Sequence, residues 1–118
     1  MALLNKLLIA SAATSLMFSV ATADDALVKQ GEKIFNTKDL GNCLACHDVN
    51  GKKIDGPGSF GPKLTGLTHW DDQLLYDTIY DIYAARGLKV TSMPAFGRVG
   101  QMSPEEIKAV IAYLKTIQ

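Results

Sequence analysis

Cysteine and histidine are scarce in this chain, with two of each in 118 residues. Two cysteines cannot complete a cysteine-rich zinc site, which takes about four ligands. Charge of one sign is missing as well. Twelve basic and twelve acidic residues cancel, and no basic run points to nucleic acid or an anionic membrane surface. There is no internal repeat and no sustained strand alternation. The sequence offers no activated nucleophile and no convincing pair of carboxylates, so no catalytic site of its own is expected.

What is present begins with an export pattern. Lys6 gives a short basic start, and an apolar run follows from Leu7 to Val20, relieved only by serine and threonine. Ala21-Thr22-Ala23 then has the small-residue form of a cleavage site. The run is short and rich in small residues for a membrane anchor, which needs about 20 strongly apolar residues. Residues 1–23 are therefore expected to be a signal peptide cleaved after Ala23, with an uncleaved anchor as the alternative. Residues 24–118 form one domain, placed in the periplasm. Lys6 leaves with the signal, so that domain carries a formal charge of −1. A chain this short has room for one small core.

The central stretch is Cys43-Leu44-Ala45-Cys46-His47. Two thiols three residues apart, followed at once by histidine, is the attachment pattern of a c-type haem. Two thioethers must reach two vinyl groups on one side of a porphyrin, and the intervening pair sets that span. His47 then offers its imidazole to the iron as the proximal ligand. A thioredoxin-like redox pair shares the spacing but expects a βαβ neighbourhood, and none is visible. A plain disulfide or an incidental match is the bland alternative. A covalent haem would also act as a large apolar core element, as staples do in other small scaffolds.

Around this motif the chain reads as helices joined by loops. A first helix is expected over residues 25–36, capped by Asp24 or Asp25, with Leu27, Gly31, Ile34 and Phe35 on one face. A mid-helix glycine costs about 1 kcal/mol relative to alanine, so Gly31 implies close approach of another helix. Residues 50–62 hold Gly51, Gly56, Gly58 and Gly61 with Pro57 and Pro62, and read as an ordered loop. A second helix is expected from Asp71 or Asp72 to Arg86, with Leu75, Ile79 and Ile82 as its stripe. Gly87 would end it. Ser103-Pro104-Glu105-Glu106 is a capping box with proline in the first turn. Ile107, Val110, Ile111, Leu114 and Ile117 follow as one apolar face, a partner for Gly31 and Phe35.

The iron's sixth ligand decides the chemistry, because a protein ligand on both sides favours electron transfer and an open side favours ligand binding. Met93, Met102, His69 and several lysines are available. Met93 lies in Thr91-Ser92-Met93-Pro94-Ala95-Phe96-Gly97, a loop stiffened by Pro94, and is the expected distal ligand. Met102 fits better as a staple residue before the last helix, and His69 as a surface or capping histidine. Phe60, Leu64, Leu67, Trp70 and Phe96 are the candidate apolar wall around the ring. Such a wall and a thioether ligand both favour the ferrous state.

Together these residues resemble the class I c-type cytochromes. The likeness rests on Gly31 and Phe35, on Cys43, Cys46 and His47, on Gly61-Pro62-x-Leu64-x-Gly66, on Met93-Pro94-x-Phe96-Gly97, and on Tyr113. It implies an all-α class I cytochrome c fold packed around one covalent haem c. It also implies that the first and last helices cross at Gly31 and Tyr113, and that the Pro62 carbonyl accepts a bond from His47. Within the class, residues 41–47, 92–97 and 102–107 resemble the SoxX family, small haem subunits of thiosulfate-oxidising complexes. That likeness implies electron acceptance from a redox protein partner, such as a larger SoxA-like haem subunit, and delivery to a downstream cytochrome or oxidase. The alternative is a free soluble monohaem carrier between respiratory or photosynthetic partners. A ligand-binding haem sensor would require Met93 to be off the iron.

Overall fold

The computed structural model describes residues 23–118, so the expected signal segment, apart from Ala23, lies outside the described residues. The described chain folds as four α-helices: α1 (Ala23–Asn36), α2 (Asp72–Tyr80), α3 (Ile82–Arg86) and α4 (Pro104–Leu114). Short 3-10 turns occupy Cys43–Ala45 and Leu67–His69. Among the described residues there is no strand, only an isolated parallel bridge between Val49 and Leu64. The fold is all-α, as expected.

Helix α1 differs from expectation at its start. Asp24 and Asp25 lie inside its first turn rather than at the cap, where carboxylates still favour the positive end of the helix dipole. At its other end the amides of Gly41 and Asn42 both donate to the Ile34 carbonyl, at 3.0 and 3.3 Å. Asn42 adopts a left-handed φ of 53°, a conformation that asparagine tolerates better than most residues. The chain therefore turns sharply out of α1 and straight into the haem motif.

Helices α1 and α4 cross at Gly31. A Cβ there would run into the carbonyl of Ala109 and come within 3.0 Å of the Tyr113 Cβ. The missing side chain lets the backbones meet. Phe35 and Tyr113 pack beside the crossing, ring centroids 5.3 Å apart and tilted by 58°, a geometry worth about 0.5–1.5 kcal/mol beyond area burial. Ile34, Phe35, Ile107, Ala109, Val110 and Tyr113 are buried in this core.

The capping box of α4 is fully formed. The Glu106 amide donates to Ser103 Oγ at 3.2 Å, and the Ser103 amide donates to Glu106 Oε1 at 3.1 Å. Met102 and Ile107, on either side of the cap, are both buried, as a staple pair requires. The helix stops at Leu114, earlier than its apolar stripe implied. Thr116 and Ile117 continue as tight turns, their amides donating to Tyr113 and Leu114 at 3.0 Å each. Ile117 remains fully buried, and its carbonyl accepts from both the amide and the hydroxyl of Thr68. The C-terminal turn thus ties down the loop before α2.

The expected single helix over residues 72–86 is two helices. Asp81, with φ −152° and ψ 91°, separates α2 from α3 and caps the latter. The apolar stripe runs through the break unchanged, so spacing alone could not reveal it. Asp71 caps α2 by accepting from the Leu74 amide at 3.0 Å, and Gly87, φ 63°, ends α3.

Replacing Gly31 by alanine sets a helix-propensity gain of about 1 kcal/mol against a clash with backbone that cannot move aside. The clash wins, and Gly31→Ala is expected to lower stability by about 1–3 kcal/mol, measured by denaturant unfolding of the haem-bearing protein.

Candidate haem site

The motif Cys43 to His47 is held from below by α1 and from the side by the glycine-rich loop. Cys43–Ala45 forms a 3-10 turn, and the amides of Cys46 and His47 both donate to the Cys43 carbonyl, at 3.1 and 2.9 Å. The loop then lies along the turn. The Gly58 amide donates to Leu44 at 2.8 Å and the Gly61 amide to Cys46 at 2.7 Å. Leu64 and Asn50 extend the pairing, through Leu64 to Asp48 at 2.8 Å and Asn50 to Leu64 at 2.9 Å. Two of the glycines are dictated by this closeness. A Cβ on Gly58 would strike the Ala45 carbonyl, and one on Gly61 would sit 2.8 Å from His47 Nδ1.

Where this loop ends, Pro62 meets His47. The imidazole Nδ1 lies 2.8 Å from the Pro62 carbonyl oxygen. A carbonyl only accepts, so Nδ1 carries a proton and Nε2 is the nitrogen left to face a metal, the orientation a metal ligand needs.

Cys43, Cys46, His47, Pro62, Leu64 and Met93 all border one cavity of about 970 Å³. The candidate wall, Phe60, Leu64, Leu67, Trp70 and Phe96, borders it too. His69 is exposed and lies outside the lining. Met102 touches the cavity edge but belongs to the buried core. Burial pushes the Cys43 thiol up to about 12, against a smaller opposing backbone hydrogen bond. A redox-active thiol of the thioredoxin type is shifted downward, the direction opposite to that at Cys43. Among the described residues no three His, Cys, Asp or Glu side chains gather to hold a bare metal ion.

The residues fit a covalent haem c. Two thiols on one turn, a histidine with its outer nitrogen tied back, a thioether and an apolar wall converge on one space. Sequence reading missed several participants. Leu40 and Leu88 border the cavity from loops that carry no periodic pattern. Thr91 Oγ1 accepts from the Met93 amide at 3.1 Å, a local turn that a threonine two residues before Met93 could have signalled.

Fold and site together define a class I c-type cytochrome. Residues 26–114 match the family described as cytochrome C oxidase, cbb3-type, subunit III, and the chain belongs to that family. A cytochrome c domain of this family carries covalently bound haem c. Among solved structures, one chain of the crystal structure of SoxXA from P. pantotrophus superimposes with a TM-score of 0.63 at 26% identity, over 75% of this chain and 79% of the other. An uncharacterized lipoprotein of Aquifex aeolicus (strain VF5) is 36% identical over 76 residues, 63% of this chain. The chain spans only 35% of that relative's length. No helix among the described residues is long and apolar enough to cross a membrane.

Replacing Cys43 and Cys46 together by alanine removes both sites of thioether formation. Haem is then expected to leave completely on acid–acetone extraction, whereas the unaltered protein keeps its colour; covalent haem surviving in the variant would refute the attachment.

Proposed function

We propose that the haem is bound through Cys43 and Cys46, with His47 as proximal and Met93 as distal iron ligand, and that the chain is the small electron-accepting subunit of an exported sulfur-oxidising complex. The observation that carries the ligation is the 2.8 Å contact between His47 Nδ1 and Pro62, with Met93 on the same cavity. When bound, the haem supplies a one-electron Fe(II)/Fe(III) couple. The chain's own residues do the rest. The Pro62 carbonyl fixes the imidazole's tautomer and orientation and raises its basicity. Leu64, Leu67 and Phe96 keep water from the ring and so disfavour the extra charge of the ferric form. The Met93 thioether, as an iron ligand, would raise the potential further.

The partner assignment is supported by the likeness to SoxXA. This reading has a larger haem subunit upstream as electron donor and a cytochrome or oxidase downstream. In this reading thiosulfate chemistry belongs to the partner, and this chain receives electrons and passes them on. The lipoprotein relative and the apolar N-terminal run support export, and the reading puts the chain in the periplasm with cleavage at the Ala21-Thr22-Ala23 pattern after Ala23. A free diffusing carrier has the same haem and ligands and differs in its surface. Carriers are steered by charge, and a formal charge of −1 after signal removal provides little.

Met93→Ala is expected to abolish the weak long-wavelength charge-transfer band of ferric iron bound to methionine sulfur, and to lower the reduction potential. A band that survives removes Met93 from the iron. The subunit reading is tested by the native mass of the haem protein purified gently from its own cells, with co-eluting chains identified. A stoichiometric larger haem subunit, whose presence makes haem reduction depend on thiosulfate, is the expected result. A lone chain with one haem would establish the free carrier instead.

A further inference from the structure

The break at Asp81 has a consequence for the loop that carries Met93. In an unbroken helix the Tyr80 carbonyl would accept from the Ala84 amide, four residues on. Here the amides of Tyr83 and Ala84 turn instead to Asp81 Oδ1, at 3.1 and 3.4 Å. The Tyr80 carbonyl is thereby released, and it accepts from the amides of Gly97 and Arg98, at 3.1 and 3.0 Å. These two amides lie on the far side of the Met93 loop. Gly97 is fixed by the same approach, because a Cβ there would run into the Tyr80 ring.

Asp81 uses its second oxygen on the same loop. Arg98 Nε lies 3.2 Å from Asp81 Oδ2, and the Asp81 side chain is only 17% exposed. The Arg98 guanidinium also covers the Tyr83 ring at 5.2 Å. On the near side of the loop the Tyr83 hydroxyl reaches the Thr91 carbonyl at 3.5 Å, and Thr91 in turn holds the Met93 amide. Both sides of the loop are thus fastened to the junction of α2 and α3.

We propose that Asp81 and Arg98 are positioning residues, a clasp in which one carboxylate both breaks the helix and, through Arg98, holds the Met93 loop closed over the cavity. Its consequence for the iron rests on the reading of Met93 as distal ligand. Opening of the loop would free that coordination position, so the clasp sets how readily an outside ligand displaces Met93.

The test uses the ferric haem-bearing protein and compares wild type with Asp81→Asn, Arg98→Gln and the double variant. Asparagine keeps the oxygen that caps α3 and loses the charge that holds Arg98. Imidazole is titrated as the competing ligand, and amide hydrogen exchange is followed at Gly97 and Arg98 and across α1 and α4. Each single variant is expected to bind imidazole about threefold to fivefold tighter, the scale of a partly exposed ion pair. The double variant should add little to either single one. Exchange at the Gly97 and Arg98 amides should rise by a similar factor in Asp81→Asn, with α1 and α4 unchanged. Unchanged exchange at those two amides, or exchange raised equally throughout the protein, overturns the clasp. So does unchanged imidazole affinity in a protein that shows the methionine charge-transfer band. Should the wild type lack that band, the Met93 reading fails by itself, and exchange at Gly97 and Arg98 alone decides the clasp.

Discussion

The absence of a side chain at Gly31 is the constraint from which the site hangs. Because α1 can rest its backbone on Ala109, the C-terminal end of α1 is held at a fixed distance from α4. The Ile34 carbonyl at that end accepts two amides from the turn that follows, and the next residue, Cys43, begins the haem motif. A wider crossing would move Ile34, and with it the turn on which Cys43 and Cys46 are presented. The geometry of the attachment point is thus inherited from a helix crossing whose closest residues, Gly31, Ala109 and Tyr113, lie off the cavity lining.

Helices supply the frame, yet most of the cavity's polar definition comes from loops. A loop is an unfavourable place to fix a side chain unless its backbone groups are tied. Here the ties are main-chain bonds to neighbouring segments. Gly58 and Gly61 bond to the carbonyls of Leu44 and Cys46, and Gly97 and Arg98 to Tyr80. In each case a glycine stands where a Cβ would collide. The glycines here act less through conformational freedom than through closeness, letting one backbone lie against another. In the proposed electron-transfer role, a site whose loops are already tied by main-chain bonds would reorganise little on a change of charge.

Much of this was legible in the sequence, and the legible parts share a character. The CxxCH motif, the Ser103–Glu106 box and the Gly31 face are local patterns, each set by the spacing of a few neighbouring residues. The family's likeness added the Gly31–Tyr113 crossing and the approach of Pro62 to His47, both of which the structure contains. What escaped is decided by more than the spacing of neighbouring residues. Asp24 and Asp25 read as caps because both are good N-cap residues, although the helix already includes them. Ile117 kept its place in the apolar stripe while leaving the helix, because one tight turn can bury a side chain as well as a helical turn does. Leu40 and Leu88 line the cavity from segments without periodicity, where no pattern distinguishes a wall residue from a loop residue.

The break at Asp81 shows most clearly why pattern reading stops where it does. A helix continues when each amide finds the carbonyl four residues back, and residue spacing reports only which face is apolar. Leu75, Ile79 and Ile82 keep their spacing whether or not Asp81 is helical. What decides the matter is competition for two amides and one carbonyl. Asp81 offers the amides of Tyr83 and Ala84 an alternative acceptor, as aspartate does at caps and turns. That alternative alone would be worth little, since an aspartate inside a helix usually faces water instead. The balance tips because the released Tyr80 carbonyl is taken up by two amides from residues 97 and 98, and because Arg98 arrives with them to neutralise the carboxylate. The interruption and the loop support each other, the loop taking up the carbonyl that the interruption releases. A feature with such mutual dependence across a long separation leaves no local trace.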